Sequence, residues 1–334
     1  MSSYLLAITI SDYGYTSDYS ESGTLVRVFA PNHLLSATEN ALEVAVDSLN
    51  RFEIIFGINY SLPKLDLFPI DRFSNESAAM ENWGLVIFKN KFLLGNRNIK
   101  RIVIHEIAHQ WFGNLVTMEW LSELWLNEGF ATFYESYEPN ELDLYLEEIY
   151  MNYHRRGEID ETPSKDLRVG ATYRINPYLS YFKSTAIVRM LWKVVGSWKF
   201  RRQVSKYLKN NAYKSTNSTI LFSYLADSMP LGSPSISDFM NPWLEQVGHP
   251  AIVFRTINGT HYEMNQKRFD NGNFNVLDQK LPTPKWNYTW YIPIWYLEKG
   301  QKKEKLTWLK PGELMYINKT TTLKDGLWSR EYVE

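Results

Sequence analysis

Two of the six histidines in this chain stand four residues apart, in the run His105-Glu106-Ile107-Ala108-His109. On an α-helix, residues four apart project from the same face, so both imidazoles can reach one metal ion if this run is helical. Glu106 then lies one step around the helix, where its carboxylate can reach a metal-bound water without binding the metal. The pattern predicts a helix over residues 99–112 with a hydrolytic zinc site, because zinc lowers the pKa of its water to near neutrality.

A third ligand is available on the next predicted helix, over residues 122–137. The chain has no cysteine, so only histidines and carboxylates are left to hold a metal, and disulfides and thiol nucleophiles are excluded. A catalytic zinc takes three protein ligands and keeps one open position. Glu128 follows His109 after eighteen intervening residues, which suits two helices joined by a loop. We therefore predict one Zn²⁺ per chain, held by His105, His109 and Glu128.

The longer runs around these residues are specific. His105-Glu-Ile-Ala-His109-Gln-Trp-Phe-Gly-Asn-Leu-Val-Thr117 and Trp125-Leu-Asn-Glu-Gly-Phe-Ala131 resemble the signature of the aminopeptidase N family, which are gluzincin zinc metallo-aminopeptidases. The resemblance implies an α+β fold, with a thermolysin-like (gluzincin) peptidase domain over residues 12–247. A small antiparallel β-sandwich domain is expected over residues 248–334. Residues 1–11 resemble the last strand of the family's N-terminal β-domain.

The resemblance extends to a segment that binds the substrate's N-terminus. The family uses a Gly-Ala-Met-Glu-Asn strand, whose glutamate binds the free amine and whose backbone pairs with the substrate. The matching substrate-binding residues, which we place on an edge strand, are Ala78, Ala79, Met80, Glu81 and Asn82. Ala78 replaces the family's glycine, and a positive φ at this position would strain alanine.

A tyrosine is expected to stabilise the oxyanion. The family has a Tyr-X-Lys-Gly segment, and Tyr181-Phe182-Lys183-Ser184 resembles it, with serine in place of glycine. Tyr181 would then donate a hydrogen bond to the negative charge that develops on the former carbonyl oxygen. Glu123 stands where the family has aspartate and is expected to support the metal ligands from behind.

The resemblance implies a zinc aminopeptidase that releases single N-terminal amino acids from peptides with a free N-terminus. Attack comes from zinc-bound hydroxide, and Glu106 is the general base. A peptidase-like protein that binds peptides or partners with impaired catalysis is the main alternative, since Ala78 and Ser184 depart from the pattern. A zinc hydrolase of non-peptide substrates, such as the epoxide-opening relatives, is a third.

Partners and location are constrained by charge and by short motifs. A formal net charge of −1 argues against a nucleic-acid partner, and the sequence contains no apolar run long enough to span a bilayer. Most of the family's N-terminal domain and its C-terminal helical domain lie outside the sequence. The apolar surface that they would bury indicates a partner that covers it, instability or an incomplete gene product. Six Asn-X-Ser/Thr sequons favour an extracellular or plasma-membrane ectodomain glycoprotein and leave a cytoplasmic location open. They are Asn59, Asn75, Asn217, Asn258, Asn287 and Asn318.

Hydrophobic periodicity predicts the remaining elements. Strands are expected over residues 5–10 and 24–29, followed by a helix that begins at the capping box Ser36-Ala-Thr-Glu39 and ends at Gly57. Further helices are expected over residues 141–154 and 185–195. Beyond residue 250, short alternating runs predict antiparallel strands at 252–256, 262–268, 287–296, 306–309 and 314–317.

Overall fold

The chain folds as two units. The first comprises Met1–Leu142 and Trp198–Tyr224, and the second comprises Asp143–Ser197 and Leu225–Glu334. The computed structural model describes residues 2–71, 78–94, 99–135, 178–246, 248–269, 285–323 and 329–333. The domain boundaries expected after residues 11 and 247 remain predictions, and the helix expected over residues 141–154 lies outside the described residues.

A five-stranded mixed sheet organises the first unit. Its strands are β1 (Gly14–Tyr19), β2 (Leu25–Ala30), β3 (Lys64–Ile70), β4 (Ala79–Met80) and β5 (Leu85–Lys89), in the order β1-β2-β3-β5-β4. The pairs β2–β3 and β3–β5 are parallel, whereas β1 and β4 pair antiparallel with their neighbours. Buried side chains alternate along β2, as the sequence pattern predicts for a strand with one face on the core. Among the described strands, the one that carries Ala79 and Met80 lies at the sheet edge, as predicted, whereas Ala78, Glu81 and Asn82 lie just outside this strand.

The described residues form the following α-helices: α1 (Glu39–Phe56), α2 (Asn90–Leu93), α3 (Ile99–Ala108), α4 (Trp125–Tyr134), α5 (Ser184–Val195), α6 (Ser197–Asn210), α7 (Ser218–Leu225) and α8 (Ile236–Glu245). Helix α1 packs against α3 and ends at Gly57, whose φ of 65° is left-handed, as expected for a helix stop. The predicted capping box is wrong, because Ser36 lies in a 3-10 helix (Asn32–Thr38) and α1 begins only at Glu39.

The strand predicted over residues 5–10 is also wrong. Ser3–Leu5 form a 3-10 turn, and residues 6–13 have no regular structure. A strand needs a neighbour for its backbone N–H and C=O groups, and none of the described strands pairs with this segment. Three of its apolar side chains are exposed, Leu6 at 64%, Ile8 at 82% and Ile10 at 98%, whereas Leu5 is buried at 1%.

The second unit contains two sheets. One has the order β12-β9-β8-β14 and the other β11-β10-β13, with strands β8 (Pro250–Thr256), β9 (His261–Arg268), β10 (Ile292–Leu297), β11 (Lys305–Leu309), β12 (Met315–Asn318), β13 (Thr322–Leu323) and β14 (Ser329–Val333). The expectation of a purely antiparallel domain is wrong in one pairing, since β14 runs parallel to β8. The β-sandwich arrangement of the sheets stays a prediction.

A short parallel pair of strands, β6 (Val116–Met118) and β7 (Lys214–Thr216), lies in the first unit, and β6 follows the helix that carries the histidines. None of the helices in the described part of the chain combines the length and apolar character that a membrane span requires.

Candidate metal centre

Helix α3 carries the histidine pair on one buried face. His109 follows the last residue of the helix, and its N–H still donates to the carbonyl of His105 at 3.2 Å. The two imidazoles therefore converge as expected for residues four apart, with their Nε2 atoms 3.0 Å from each other. Both side chains are buried, at 8% and 1% exposure for His105 and His109.

Helix α4 brings Glu128 to the same point. Its Oε2 atom lies 3.3 Å from the Nε2 atom of each histidine. The chain reverses between the two helices through Gly113, whose φ is +124°. A β-carbon at Gly113 would come within 3.1 Å of the Asn127 amide nitrogen, so this turn requires glycine both for its backbone conformation and for its close approach to α4.

The three side chains fit a zinc ion. Tetrahedral ligands about 2.1 Å from zinc stand about 3.4 Å apart, close to the 3.0–3.3 Å separations of these donor atoms. Two imidazole nitrogens and one carboxylate oxygen are a frequent donor set for catalytic zinc. The Oε2 atom of Glu128 is buried without a hydrogen-bond partner among the described residues, which a metal would satisfy.

Hydrogen bonds behind the imidazoles orient both rings. The Nδ1 atom of His105 lies 2.8 Å from Oε1 of Glu135, whose other oxygen accepts a hydrogen bond from Arg101 at 2.8 Å. The Nδ1 atom of His109 lies 2.9 Å from the carbonyl oxygen of Phe112. Each Nδ1 therefore acts as the donor, and each Nε2 is left to face the metal position.

Glu135 and Arg101 were not predicted as site residues, although their helical spacing from the metal ligands places both on the ligand-bearing faces. Arg101 precedes His105 by four residues on α3, and Glu135 follows Glu128 by seven residues, about two helical turns. The carboxylate of Glu123 accepts hydrogen bonds from Ser218 N and Trp125 Nε1, both at 3.2 Å, and from the Ser218 hydroxyl, while its expected support of the metal ligands stays a prediction. These contacts hold the start of α7.

In the metal-free centre, the electrostatic environment favours protonated imidazoles. Burial disfavours charge on both imidazoles, but hydrogen bonds and carboxylates outweigh it, raising the pKa of His105 well above its usual value and that of His109 to about 9. Burial also disfavours charge on Glu128, yet the adjacent histidines hold the pKa of its carboxyl well below the usual range. Positive charge is therefore favoured where the metal would bind.

Glu106 differs from the ligands. Its side chain is 6% exposed, and its Oε2 atom has no hydrogen-bond partner among the described residues. Burial raises the pKa of Glu106 to about 8, although the two histidines lower it. The environment thus gives a carboxyl group that exchanges a proton near neutral pH.

The edge strand is tied to the metal centre through the backbone of Glu81. The carbonyl oxygen of Glu81 accepts hydrogen bonds from Asn114 Nδ2 at 2.8 Å and from Gln110 Nε2 at 3.2 Å. Both donors follow His109 in the turn after α3, and neither was singled out in the sequence. The Glu81 side chain is 9% exposed, so its carboxylate is largely shielded from water.

The substitution of the family's glycine by Ser184 does not strain the backbone. Ser184 is the first residue of α5 and is not among the described non-glycine residues with positive φ, which are Tyr213, Asn287 and Tyr288. The carbonyl oxygen of Ala78 accepts a hydrogen bond from Lys89 N at 3.0 Å, within the sheet. Alanine at this position is therefore compatible with the edge strand.

Tyr4 was missed as a site residue. Its carbonyl oxygen accepts a hydrogen bond from Asn82 Nδ2 at 3.1 Å, and the carbonyl of Leu5 accepts from Trp83 N at 3.0 Å. Burial raises the pKa of the Tyr4 phenol well above its usual value, and the charges of Glu81 and Glu128 raise it further. No local sequence signal predicts that Tyr4 lies beside Glu81, because the two residues are 77 positions apart in the chain.

Tyr181 belongs to the second unit. It lies in a π-helical turn (Tyr178–Lys183) that continues into α5, and its carbonyl oxygen accepts a hydrogen bond from the Thr185 hydroxyl at 2.6 Å. The side chain is half-buried. The predicted role of Tyr181 stays a prediction.

A buried histidine pair, a carboxylate from the following helix and a neighbouring unligated glutamate define a metallohydrolase-type domain. Residues 40–243, more than half of the chain, match the Peptidase family M1 domain. The chain belongs to this family, which is the family of aminopeptidase N.

Named relatives agree with this assignment. Aminopeptidase N of Haemonchus contortus is 30% identical over 95% of this chain and 35% of its own length. Human aminopeptidase N is 32% identical over 91% of this chain and 34% of its own length. Aminopeptidase M1 of Arabidopsis thaliana is 32% identical over 80% of this chain and 32% of its own length. The chain thus spans about a third of the length of these relatives.

Proposed function

We propose that the protein is a zinc-dependent aminopeptidase that releases single amino acids from the N-termini of peptides. The observation that carries the proposal is the buried cluster of His105, His109 and Glu128. Glu106 lies beside the cluster, and the backbone carbonyl of Glu81 accepts hydrogen bonds from side chains in the turn that follows α3. The names of the relatives point to the same activity.

The three ligands would hold one Zn²⁺. When bound, zinc acts as a Lewis acid that polarises the scissile carbonyl and lowers the pKa of a water molecule. His105 and His109 would bind through Nε2, because Nδ1 of each ring is engaged by Glu135 and Phe112, respectively. The hydrogen bonds behind the rings hold them in this tautomer and orientation.

Glu106 is proposed as the general base. Its buried Oε2 atom, without a partner among the described residues, would accept a proton from the attacking water. The same carboxyl group would then deliver that proton to the leaving amine. Burial raises the pKa of this carboxyl group in the metal-free centre, which favours its holding the proton between the two transfers.

Glu81 and the edge strand are proposed to select a free N-terminus. An ammonium group entering a shielded site requires a carboxylate partner, and the Glu81 side chain is 9% exposed. In the described part of the chain, β4 pairs on one side with β5, which suits pairing of an extended substrate at the other edge. Ala78, Ala79, Met80 and Asn82 would line this binding segment.

Tyr181 is proposed to donate a hydrogen bond to the oxyanion. The support is the match of Tyr181-Phe182-Lys183 to the family's Tyr-X-Lys pattern and the regular start of α5 at Ser184. A preorganised donor lowers the barrier because it stabilises charge that develops in the transition state.

The proposal is tested by hydrolysis of a panel of aminoacyl-4-nitroanilides, with and without a zinc chelator. We expect turnover that the chelator removes, that added zinc restores and that acylation of the substrate's N-terminus abolishes. Absence of turnover in folded, zinc-loaded protein would contradict the proposal and favour a peptidase-like binding protein. Turnover of acylated substrates would instead contradict the assignment to aminopeptidases.

A further inference from the structure

Two of the six sequons share a local geometry that the other described sequons lack. The side-chain oxygen of Asn258 accepts hydrogen bonds from both the N–H and the hydroxyl of Thr260, each at 2.9 Å. Asn318 accepts the same two bonds from Thr320, again at 2.9 Å. All four residues are exposed. The bonds use the carbonyl oxygen of the asparagine, not the amide nitrogen to which a glycan attaches.

These two sequons also lie side by side. Asn258 is in the turn between β8 and β9, and Asn318 is the last residue of β12, directly opposite His261 on β9. The N–H of Lys319 donates to the carbonyl of Thr260 at 2.8 Å, which joins the two segments. Residues opposite each other on paired strands are about 5 Å apart, so both asparagines occupy one end of the four-stranded sheet.

In the other described sequons, the asparagine oxygen does not accept this pair of bonds from the residue two positions later. A second contact of the hydroxyl does not by itself separate the two groups, because the Thr260 hydroxyl also lies 2.8 Å from Nδ1 of His261. The amide nitrogen of Asn217 donates to Glu119 at 2.7 Å, and its oxygen accepts from Ile220 N at the start of α7. The hydroxyl of Thr289, in the Asn287 sequon, donates to the carbonyl of Trp286 at 2.7 Å. The hydroxyl of Ser61, in the Asn59 sequon, accepts from Trp83 at 3.2 Å. The Asn75 sequon lies outside the described residues.

The surface around the pair has a feature that a glycan would protect. Among the described strands, β12 lies at one edge of its sheet, and Tyr316 on this strand is 59% exposed. Ile257, in the turn beside Asn258, is 49% exposed. Exposed apolar edges invite pairing between chains, and a bulky hydrophilic group at the end of the strand hinders it.

We propose that Asn258 and Asn318 are adjacent N-glycosylation sites whose glycans together cover this end of the sheet. The donor is an oligosaccharide linked through pyrophosphate to a polyprenol lipid. A bond forms between the asparagine amide nitrogen and the sugar C1 as the C1–O bond breaks. The nitrogen loses one proton, and the lipid pyrophosphate leaves. The inference does not depend on peptidase activity.

The test uses the full chain, directed into microsomes by an added signal sequence. Only chains protected from added protease are analysed, so that every chain counted has reached the lumen. Glycans are counted by the mass change on treatment with an N-glycosidase in ¹⁸O water, which marks each former glycan site. An incubation without the enzyme controls for spontaneous deamidation, which Asn258-Gly259 favours. The variants are Asn258→Gln, Asn318→Gln, Thr260→Ala and the double asparagine variant, with Asn217→Gln as matched control.

We expect each of the three single changes at the pair to remove one glycan, and the double variant to lose two. Asn217→Gln should keep the glycan count of the wild-type chain. An unchanged count in the double variant, or no ¹⁸O label at positions 258 and 318, would overturn the proposal. Label at only one of the two positions would overturn the paired arrangement. Because glycans are counted on translocated chains, the result is independent of aminopeptidase turnover.

Discussion

Glu106 combines three properties that are rarely found together in a structural carboxylate: it is buried, one of its oxygens has no partner among the described residues, and its pKa is raised to about 8. Glu106→Gln keeps the shape of the side chain but removes the proton-accepting oxygen. We expect kcat to fall by about 10²–10⁴-fold with zinc content unchanged. Steady-state kinetics and metal analysis of the purified variant check this.

The matched control is Glu43→Gln, the same change at an exposed carboxylate on α1. It should leave kcat within about twofold of wild type, because surface substitutions of this kind have small effects. Unchanged turnover in Glu106→Gln would contradict the assignment of the general base and leave the metal site intact.

Glu81 is predicted to bind the free ammonium group of the substrate. Glu81→Gln removes the negative charge while keeping a hydrogen-bond acceptor, and hydrogen bonds to charged groups contribute about 1.5–3 kcal/mol. We expect kcat/KM for a free aminoacyl-nitroanilide to fall by about 10–100-fold, while zinc binding is retained. Equal kcat/KM values in variant and wild type would show that another group binds the ammonium.

At the scale of elements, the metal centre depends on the packing of α3 against α4. Glu135 follows the last residue of α4 and bridges to α3 through His105 Nδ1 at 2.8 Å and Arg101 Nη2 at 2.8 Å. Such partners orient the ligating ring and increase its basicity. We expect Glu135→Gln to weaken zinc binding by about 10–100-fold, measured by competition with a chromogenic chelator. Glu43→Gln serves again as control, and an unchanged zinc affinity in Glu135→Gln would show that Glu135 does not support the ligand.

Element prediction succeeded where the pattern was local. α3 and α5 begin within one residue of their predicted starts, since amphipathic periodicity identifies helices that bury one face. The strand expected over residues 5–10 failed for a non-local reason. Apolar alternation marks a segment suited to a sheet, but it does not supply the neighbouring strand that its backbone requires.

At the scale of the whole molecule, the protonated metal-free centre couples stability to pH. The pKa values of His109 and Glu106 are raised to about 9 and about 8, above their ordinary values of 6.5 and 4.5. Groups with raised pKa values contribute stability below their ordinary values and lose it as the pH rises through the raised ones. We therefore expect the Tm of the zinc-free protein to fall between pH 6.5 and pH 9.

Zinc should reverse this dependence. Metal binding displaces protons from the imidazoles, so the increase in Tm on adding zinc should be larger at pH 9 than at pH 6.5. His109→Gln should remove the zinc effect, whereas His33→Gln, at an exposed position, should retain it. A zinc effect independent of pH would contradict the protonated state of the metal-free centre.

The sequence by itself determined what depends on local spacing. The helical repeat alone brings His105 and His109 to one face with Glu106 beside them, and the flanking runs identified the family. Glu128 was predicted as the third ligand from its distance along the chain. The positions of Arg101 one turn before His105 and of Glu135 two turns after Glu128 could have been predicted from the same repeat. Their contact at His105 depends on the packing of α3 against α4.

Only the tertiary structure decided what depends on contacts between distant segments. Tyr4 beside Glu81, and the amides of Gln110 and Asn114 on the Glu81 carbonyl, arise because the edge strand packs against the turn after α3. The hydrogen bond from Lys89 N to the Ala78 carbonyl is likewise a property of the folded backbone. Sequence periodicity carries no information about such contacts, because they result from packing between elements and not from the repeat within one.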